Sequence, residues 1–296
     1  MKILFIGCVE SSAILLEELI VNGKEICGVV TKEKSSLNSD FVDLKKLSDK
    51  YSIPSFYYSK DSEANLNGFI RNHSPDLIYC FGWSHLLRDE TLKLPKVAVI
   101  GFHPAALPKN RGRHPIIWAL ALGLKETAST FFYMDKFADD GDILSQKLIK
   151  IDNGDTARSL YDKILNTAKE QVVTFTNDFE NGLFAREKQD ISKANNWRKR
   201  NKMDGCIDFR MNAQTIYNLV RSLTRPYIGA HLVYKEKEYK VWNSEVISDD
   251  TNIYDNIEYG KVLNVFSNNS FLVKTGNNLI KILDCEKIEI KTGDYL

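Results

Sequence analysis

Little in this sequence ties it to a metal, a membrane or an oxidising compartment. Its five cysteines (Cys8, Cys27, Cys80, Cys206 and Cys285) are scattered, odd in number and without Cys-x-x-Cys spacing. That pattern argues against both a disulfide framework and a zinc cluster, and fits a reducing, cytoplasmic setting with no metal site. No apolar run is long enough to span a bilayer. The opening Met-Lys-Ile-Leu-Phe-Ile-Gly resembles a first strand, since the apolar core of a signal peptide is longer. The Gly-x-Gly-x-x-Gly fingerprint is missing too: the first turn reads Gly7-Cys8-Val9-Glu10-Ser11-Ser12, so a nicotinamide cofactor is not expected. Charge of one sign is also lacking. Forty Lys and Arg against 39 Asp and Glu give a net charge of +1, so no overall field draws the chain to nucleic acid or anionic membranes, and a local basic patch stays open. No internal repeat or low-complexity segment is visible.

What is present fits a globular protein of 296 residues, 43% hydrophobic and 27% charged, with room for one large domain and a smaller one. Apolar strands at residues 3–6, 26–31, 77–81 and 97–100 alternate with helical stripes such as Ile14, Leu15 and Leu19, or Leu66, Phe69 and Ile70. Ser11 or Ser12 can cap the first helix and Gly23 stops it. Asp40 can cap a helix with Phe41, Leu44, Leu47 and Tyr51 on one face, and residues 53–58 read as an edge strand that tolerates Pro54. Strands at 128–134 and 143–151 precede a long helix whose stripe from Leu160 to Phe179 reads as core. This alternation predicts an α/β fold with a doubly wound, Rossmann-like sheet over residues 1–190. A basic stretch, Asn196-Trp197-Arg198-Lys199-Arg200-Asn201-Lys202, reads as part of a linker at 191–203. Beyond it, a helix at 213–223 and short strands separated by Glu236-Lys237, Asn268-Asn269 and Asn277-Asn278 predict a small β-barrel over 204–296.

Two stretches carry chemistry. The strand at 97–100 delivers His103 to the carboxyl edge of the sheet, where open α/β sheets bind ligands. Pro104 and Pro108 then stiffen a wall around the small Ala105 and Ala106. The second stretch, Asp135-Lys-Phe-Ala-Asp-Asp-Gly-Asp-Ile143, packs carboxylates and a glycine into a turn between two apolar runs. An imidazole beside a carboxylate can serve as general base, because the carboxylate fixes its tautomer and stabilises its cation.

The segments His-Pro-Ala-Ala-Leu-Pro-Lys-Asn-Arg-Gly (103–112) and Asp-Asp-Gly-Asp-Ile (139–143), in this order and spacing, resemble those of the formyltransferases that use N10-formyltetrahydrofolate. The resemblance covers residues 1 to at least 234 and implies an OB-like C-terminal domain. It also implies transfer of a formyl group to a primary amine, with His103 and Asp139 matching the catalytic histidine and aspartate. It places the folate against Ala105, Ala106, Leu107 and Pro108, against the backbone of His85, Leu86 and Leu87, and against the loop from Phe137 to Asp140. Ser11 and Ser12 at a helix N-terminus, with Arg111, Arg113, His114, Arg198 and Arg200, are candidates to meet the substrate and its phosphates.

Members of that family normally carry an asparagine two residues before the histidine, where this chain has Gly101. Asn110, His114 or a water could supply the missing donor; alternatively, oxyanion support is weaker in this chain, or its activity has been lost or changed. Three functions compete. Formylation of a nucleotide-linked deoxy-amino sugar for a surface glycan is favoured by the short, weakly basic segment 32–40, by Ser39-Asp40-Phe41 and by Gly112-Arg113-His114-Pro115. A methionyl-tRNA formyltransferase would need more phosphate contacts, and a non-catalytic folate- or sugar-nucleotide-binding protein is the reading Gly101 prompts. Exposed barrel edges leave a homodimer open.

Overall fold

A computed structural model describes residues 1–34, 40–59, 62–249 and 253–296. The backbone divides into two compact units. The first comprises Met1–Gly112, Thr127–Ile149 and Asp162–Trp197; the second comprises Arg113–Glu126, Lys150–Tyr161 and Arg198–Leu296. No helix among the described residues is long and apolar enough to cross a membrane.

The chain runs β1 (Ile3–Ile6), α1 (Glu10–Val21), β2 (Ile26–Thr31), α2 (Lys45–Lys50), β3 (Ser55–Tyr57), α3 (Glu63–His73), β4 (Leu77–Cys80), α4 (Asp89–Leu92), β5 (Ala98–His103) and β6 (Arg111–Gly112). After α5 (Pro115–Ala121) come β7 (Glu126–Tyr133), β8 (Ile143–Lys150), α6 (Ala157–Glu180) and β9 (Asn196–Trp197). Seven strands form one sheet in the order β3-β2-β1-β4-β5-β7-β8. Pairing is parallel from β3 to β5 and antiparallel between β5 and β7. Every residue of β1 and β4 is buried, as strands covered on both faces require. The Rossmann-like expectation for this region therefore holds.

Aromatic side chains form the centre of this unit. Phe131 of β7 is inaccessible to solvent, with its ring 5.2 Å from Phe81 and 4.8 Å from both Phe102 and Phe175. The buried Tyr79 hydroxyl meets Thr176 Oγ1 of α6 at 2.8 Å, which gives that polar atom a partner inside the cluster of rings.

Local boundaries differ from the sequence pattern in three places. The helix after Asp40 begins only at Lys45, because Phe41 is drawn into a bridge with Val9. β5 extends through His103, so the histidine ends the strand instead of lying in the loop beyond it. The stretch read as a linker contains β9, which pairs in parallel with β6 at Arg111–Asn196 and Gly112–Trp197. Ser39 and residues 35–38 of the polar loop fall outside the described residues.

In the second unit, α7 (Ala213–Leu223) packs Ile216, Leu219 and Val220 into one apolar cluster with Leu232, Val241, Phe271 and Ile280. The strands are β10 (Ala230–Tyr234), β11 (Lys237–Ile247), β12 (Val262–Val265), β13 (Phe271–Lys274) and β14 (Leu279–Cys285), in the antiparallel order β10-β11-β14-β13-β12. The expected turns are present, with Glu236, Asn269 and Asn278 at φ of 63°, 62° and 61°. Closure into a barrel is not. No ladder joins β10 to β12 among the described residues, so this is an open five-stranded sheet.

Strand order reverses between β1 and β4, where doubly wound sheets open a crevice. Here that crevice is packed with protein. Ser12 is fully buried, and its hydroxyl donates to the Phe81 carbonyl at 2.6 Å. Gly82, at φ 66°, lies so close that a Cβ there would stand 2.2 Å from Val9 Cγ2. Gly82→Ala should therefore destabilise the protein by about 2–3 kcal/mol, read as a lower urea midpoint at unchanged slope.

Candidate functional site

His103 ends β5 with only 5% of its surface exposed. Its Nε2 lies 2.8 Å from the backbone carbonyl of Asn110. A carbonyl can only accept, so Nε2 carries the proton and the neutral ring keeps its lone pair on Nδ1. Nδ1 faces Asp139 Oδ2 at 3.8 Å, beyond hydrogen-bond range but close enough for charge to matter. The ring is therefore oriented by Asn110, not by the aspartate. If Nδ1 takes up a proton, both of its N–H groups face acceptors.

Asp139 sits at φ 57°, in the left-handed region that Asp tolerates better than most residues. Its Oδ2 accepts from the Gly112 N–H at 3.0 Å. The turn that carries it is held by two buried side chains, Gln189 and Arg111. Gln189 Nε2 donates to the carbonyls of Asp139 at 3.0 Å and Gly141 at 2.6 Å, while its Oε1 accepts from Arg111 Nη2 at 2.7 Å. Arg111 Nη1 lies 2.5 Å from Asp140 Oδ1. Arg111 is 7% exposed and both of its terminal nitrogens are engaged inside the protein, so its expected meeting with a substrate gives way to holding this turn. Gly141 packs against the Tyr133 carbonyl so closely that a Cβ would stand 1.7 Å from the oxygen.

The wall after His103 is fastened from below. Thr130 Oγ1 donates to the Ala105 carbonyl at 2.7 Å, and Gln146 Nε2 donates to that of Leu107 at 2.9 Å. Ala105 is fully buried, and Leu107 packs with Phe132 and Ile143, which leaves Ala106 and Pro108 as the members with accessible surface. At Gly101 a Cβ would lie 2.7 Å from Phe132 Cζ and 2.9 Å from Met134 Cγ. The room a longer side chain would need is filled by the cross-strand Phe132.

Among the expected folate contacts, Leu87 is buried, whereas Leu86 and Phe137 are 67% and 58% exposed. His85 belongs to a cluster that sequence reading missed. Lys32 Nζ lies 2.6 Å from His85 Nε2 and 4.8 Å from the Trp83 ring, with Tyr58 stacked edge-on against Trp83. Of the two serines, Ser12 is committed to Phe81 and to the Val9 N–H, and Ser11 is buried, so neither hydroxyl is presented to a phosphate.

Arg113, His114, Arg198 and Arg200 all belong to the second unit. There Trp118 organises them: its Nε1 donates to the Arg198 carbonyl at 3.0 Å, and the Arg198 and Arg200 guanidinium groups lie 5.3 and 4.8 Å from its ring. Arg198 also forks onto Asp204, which holds that carboxyl well below the usual carboxylate range. The Arg200 N–H donates to His114 Nδ1 at 3.3 Å. Burial, then the Arg200 charge, pushes the His114 pKa down, so this imidazole stays neutral.

Sequence reading also missed Gln189, Asn195 and Lys32. For Gln189 and Asn195 no local signal exists, because their partners are 48 to 85 residues away. Among the described residues no group of three His, Cys, Asp or Glu is placed to hold a metal ion.

Comparison with known proteins places the chain. It is 29% identical over 303 residues to a methionyl-tRNA formyltransferase of Clostridioides difficile, an alignment covering 100% of this chain and 96% of the relative. Its fold matches the solved structure of WlaRD, a sugar 3N-formyl transferase, at a TM-score of 0.73 and 18% identity, covering 98% of this chain and 99% of the other. An N-formyltransferase from Helicobacter canadensis matches at 0.72 and 18%, covering 95% and 98%. A family model described as formyl transferase matches residues 1–176, and one described as formyl transferase, C-terminal domain, matches 199–294. The chain is thus a formyl-transferring enzyme and belongs to the formyltransferase family.

Proposed function

We propose that this enzyme moves a formyl group from N10-formyltetrahydrofolate to the amine of a nucleotide-linked deoxy-amino sugar, in the cytoplasm, for surface-glycan synthesis. In this reading residues 1–190 are the catalytic domain, 191–203 join it to the rest, and 204–296 form a smaller OB-like domain. The observation that carries the chemistry is His103 held between the Asn110 carbonyl and the Asp139 carboxylate.

The residues present suit a flat folate ring. Leu86 and Phe137 expose apolar surface, and the Ala105 to Pro108 wall is small and fixed at its carbonyls. The acceptor amine attacks the formyl carbon through its lone pair, and the carbonyl π pair moves to oxygen. His103 Nδ1 takes the proton that the nitrogen gives up, and Asp139 offsets the resulting positive charge. When the carbon–N10 bond breaks, its electron pair returns to N10, which takes the proton held at His103 Nδ1, so the imidazole is neutral again. The products are an N-formyl amine and tetrahydrofolate.

Two observations favour a sugar. The chain's net charge is only +1, and Arg198 and Arg200 are engaged by Asp204 and Trp118. The solved neighbours support the same class: WlaRD was crystallised with dTDP, and the Helicobacter canadensis enzyme with dTDP-3-aminofucose. The second reading, methionyl-tRNA formyltransferase, is favoured by the full-length relative of that name.

A transfer assay read by mass spectrometry separates them, offering dTDP-linked amino sugars beside charged initiator tRNA. One formyl mass gained by a sugar is the expected result, and formylation of the tRNA alone would establish the second reading. His103→Ala should lower kcat by about 10²–10⁴-fold. A variant that keeps wild-type kcat would remove His103 from the chemistry.

A further inference from the structure

Attack on a formyl group puts negative charge on its oxygen, and a hydrogen-bond donor beside the base is the usual means of holding it. On β5, Gly101 and His103 face the same side, two residues apart. No side chain at 101 can serve, because Phe132 occupies the space.

The donors around the pair are nearly all committed. The Gly112 N–H is given to Asp139, the Asn110 N–H to Asn195 Oδ1 at 2.9 Å, and Arg111 Nη1 and Nη2 and the Gln189 amide to the clamp. Arg111 Nε is sealed from solvent. Among the described residues, the half-buried Asn110 side chain is a donor with accessible surface beside His103. The side-chain amide of Asn110 makes no hydrogen bond with any described residue and is part exposed, although its own carbonyl touches His103 Nε2 at 2.8 Å. The backbone of Asn110 is fixed at both its N–H and its C=O, at φ 64°, which holds the residue against His103.

We propose that the Asn110 side-chain amide is the catalytic donor to the formyl oxygen, a role that Gly101 has no side chain to fill. This rests on the formyl-transfer reading above. The amide hydrogen bonds strengthen as the π pair moves onto oxygen and relax when that pair re-forms the carbonyl and the carbon–N10 bond breaks. No proton moves to or from Asn110.

Two variants test this with the acceptor found active in the transfer assay. Asn110→Gly keeps the left-handed backbone and removes the amide. Asn110→Asp keeps the shape and leaves only acceptors while ionised. Each should lower kcat by about a hundredfold, with KM for N10-formyltetrahydrofolate changed by no more than about threefold. As pH falls toward the carboxyl range, the Asp variant regains an O–H donor, so its rate relative to the Gly variant should rise. A purely structural asparagine would not produce that rise. Wild-type kcat in Asn110→Gly, or an Asp-to-Gly ratio flat with pH, would overturn the assignment while wild-type protein still turns over. A wild-type protein that neither releases tetrahydrofolate nor binds 10-formyl-5,8-dideazafolate would instead overturn the formyl-transfer reading itself.

Discussion

The arrangement at the candidate site depends on a buried knot of polar groups around Gln189. The chain after β7 must bring Asp139 to the end of β5, and the turn's own bonds, the Phe137 N–H on Asp135 Oδ1 and the Tyr133 N–H on the Asp142 carbonyl, do not reach His103. Gln189 joins two carbonyls of the turn to Arg111, and Asp140 offsets the charge of that buried guanidinium. Each member would be left buried and unsatisfied without its partners, a cost of about 1–3 kcal/mol per group and more where charge is involved. One position of the turn brings these members together, with Arg111 Nε left buried and without a hydrogen-bond partner among the described residues.

That constraint propagates to the histidine. Residues 110–112 touch all of the relevant groups, through the Asn110 carbonyl on His103, the Gly112 N–H on Asp139, and Arg111 in the knot. They are in turn fixed by β9, whose pairing with β6 continues a run of bonds that begins with Asn195 accepting from the Asn110 and Arg111 N–H groups. The orientation of His103 is set by a backbone carbonyl and its electrostatic environment by a carboxylate. These tasks fall to two residues where a simpler site would give both to one.

The second unit handles its charges differently. Asp204 and Trp118 take up Arg198 and Arg200 at its surface, where exposed ion pairs contribute little to stability but fix the direction of the chain. His114 is kept neutral there by burial and by neighbouring cations. The basic stretch visible in the sequence is consequently much less of a free anion-binding surface than its composition implies.

By itself the sequence determined most of the longer elements and their order. Continuous apolar runs marked β1, β2 and β4, 3.6-residue stripes marked α3 and α6, and Asn pairs marked the turns at 269 and 278, because burial and backbone conformation are local demands. It also brought out His103 and Asp139 through motifs whose spacing is linear. Tertiary structure alone decided what those motifs touch. Ser12 and Arg111 read as ligand-binding residues but satisfy buried protein groups, and Gln189 carried no signal because its partners lie 48 to 78 residues away. Whether a polar side chain faces solvent or another part of the chain is settled by long-range packing, and so is the room at Gly101, which Phe132 fills from the neighbouring strand.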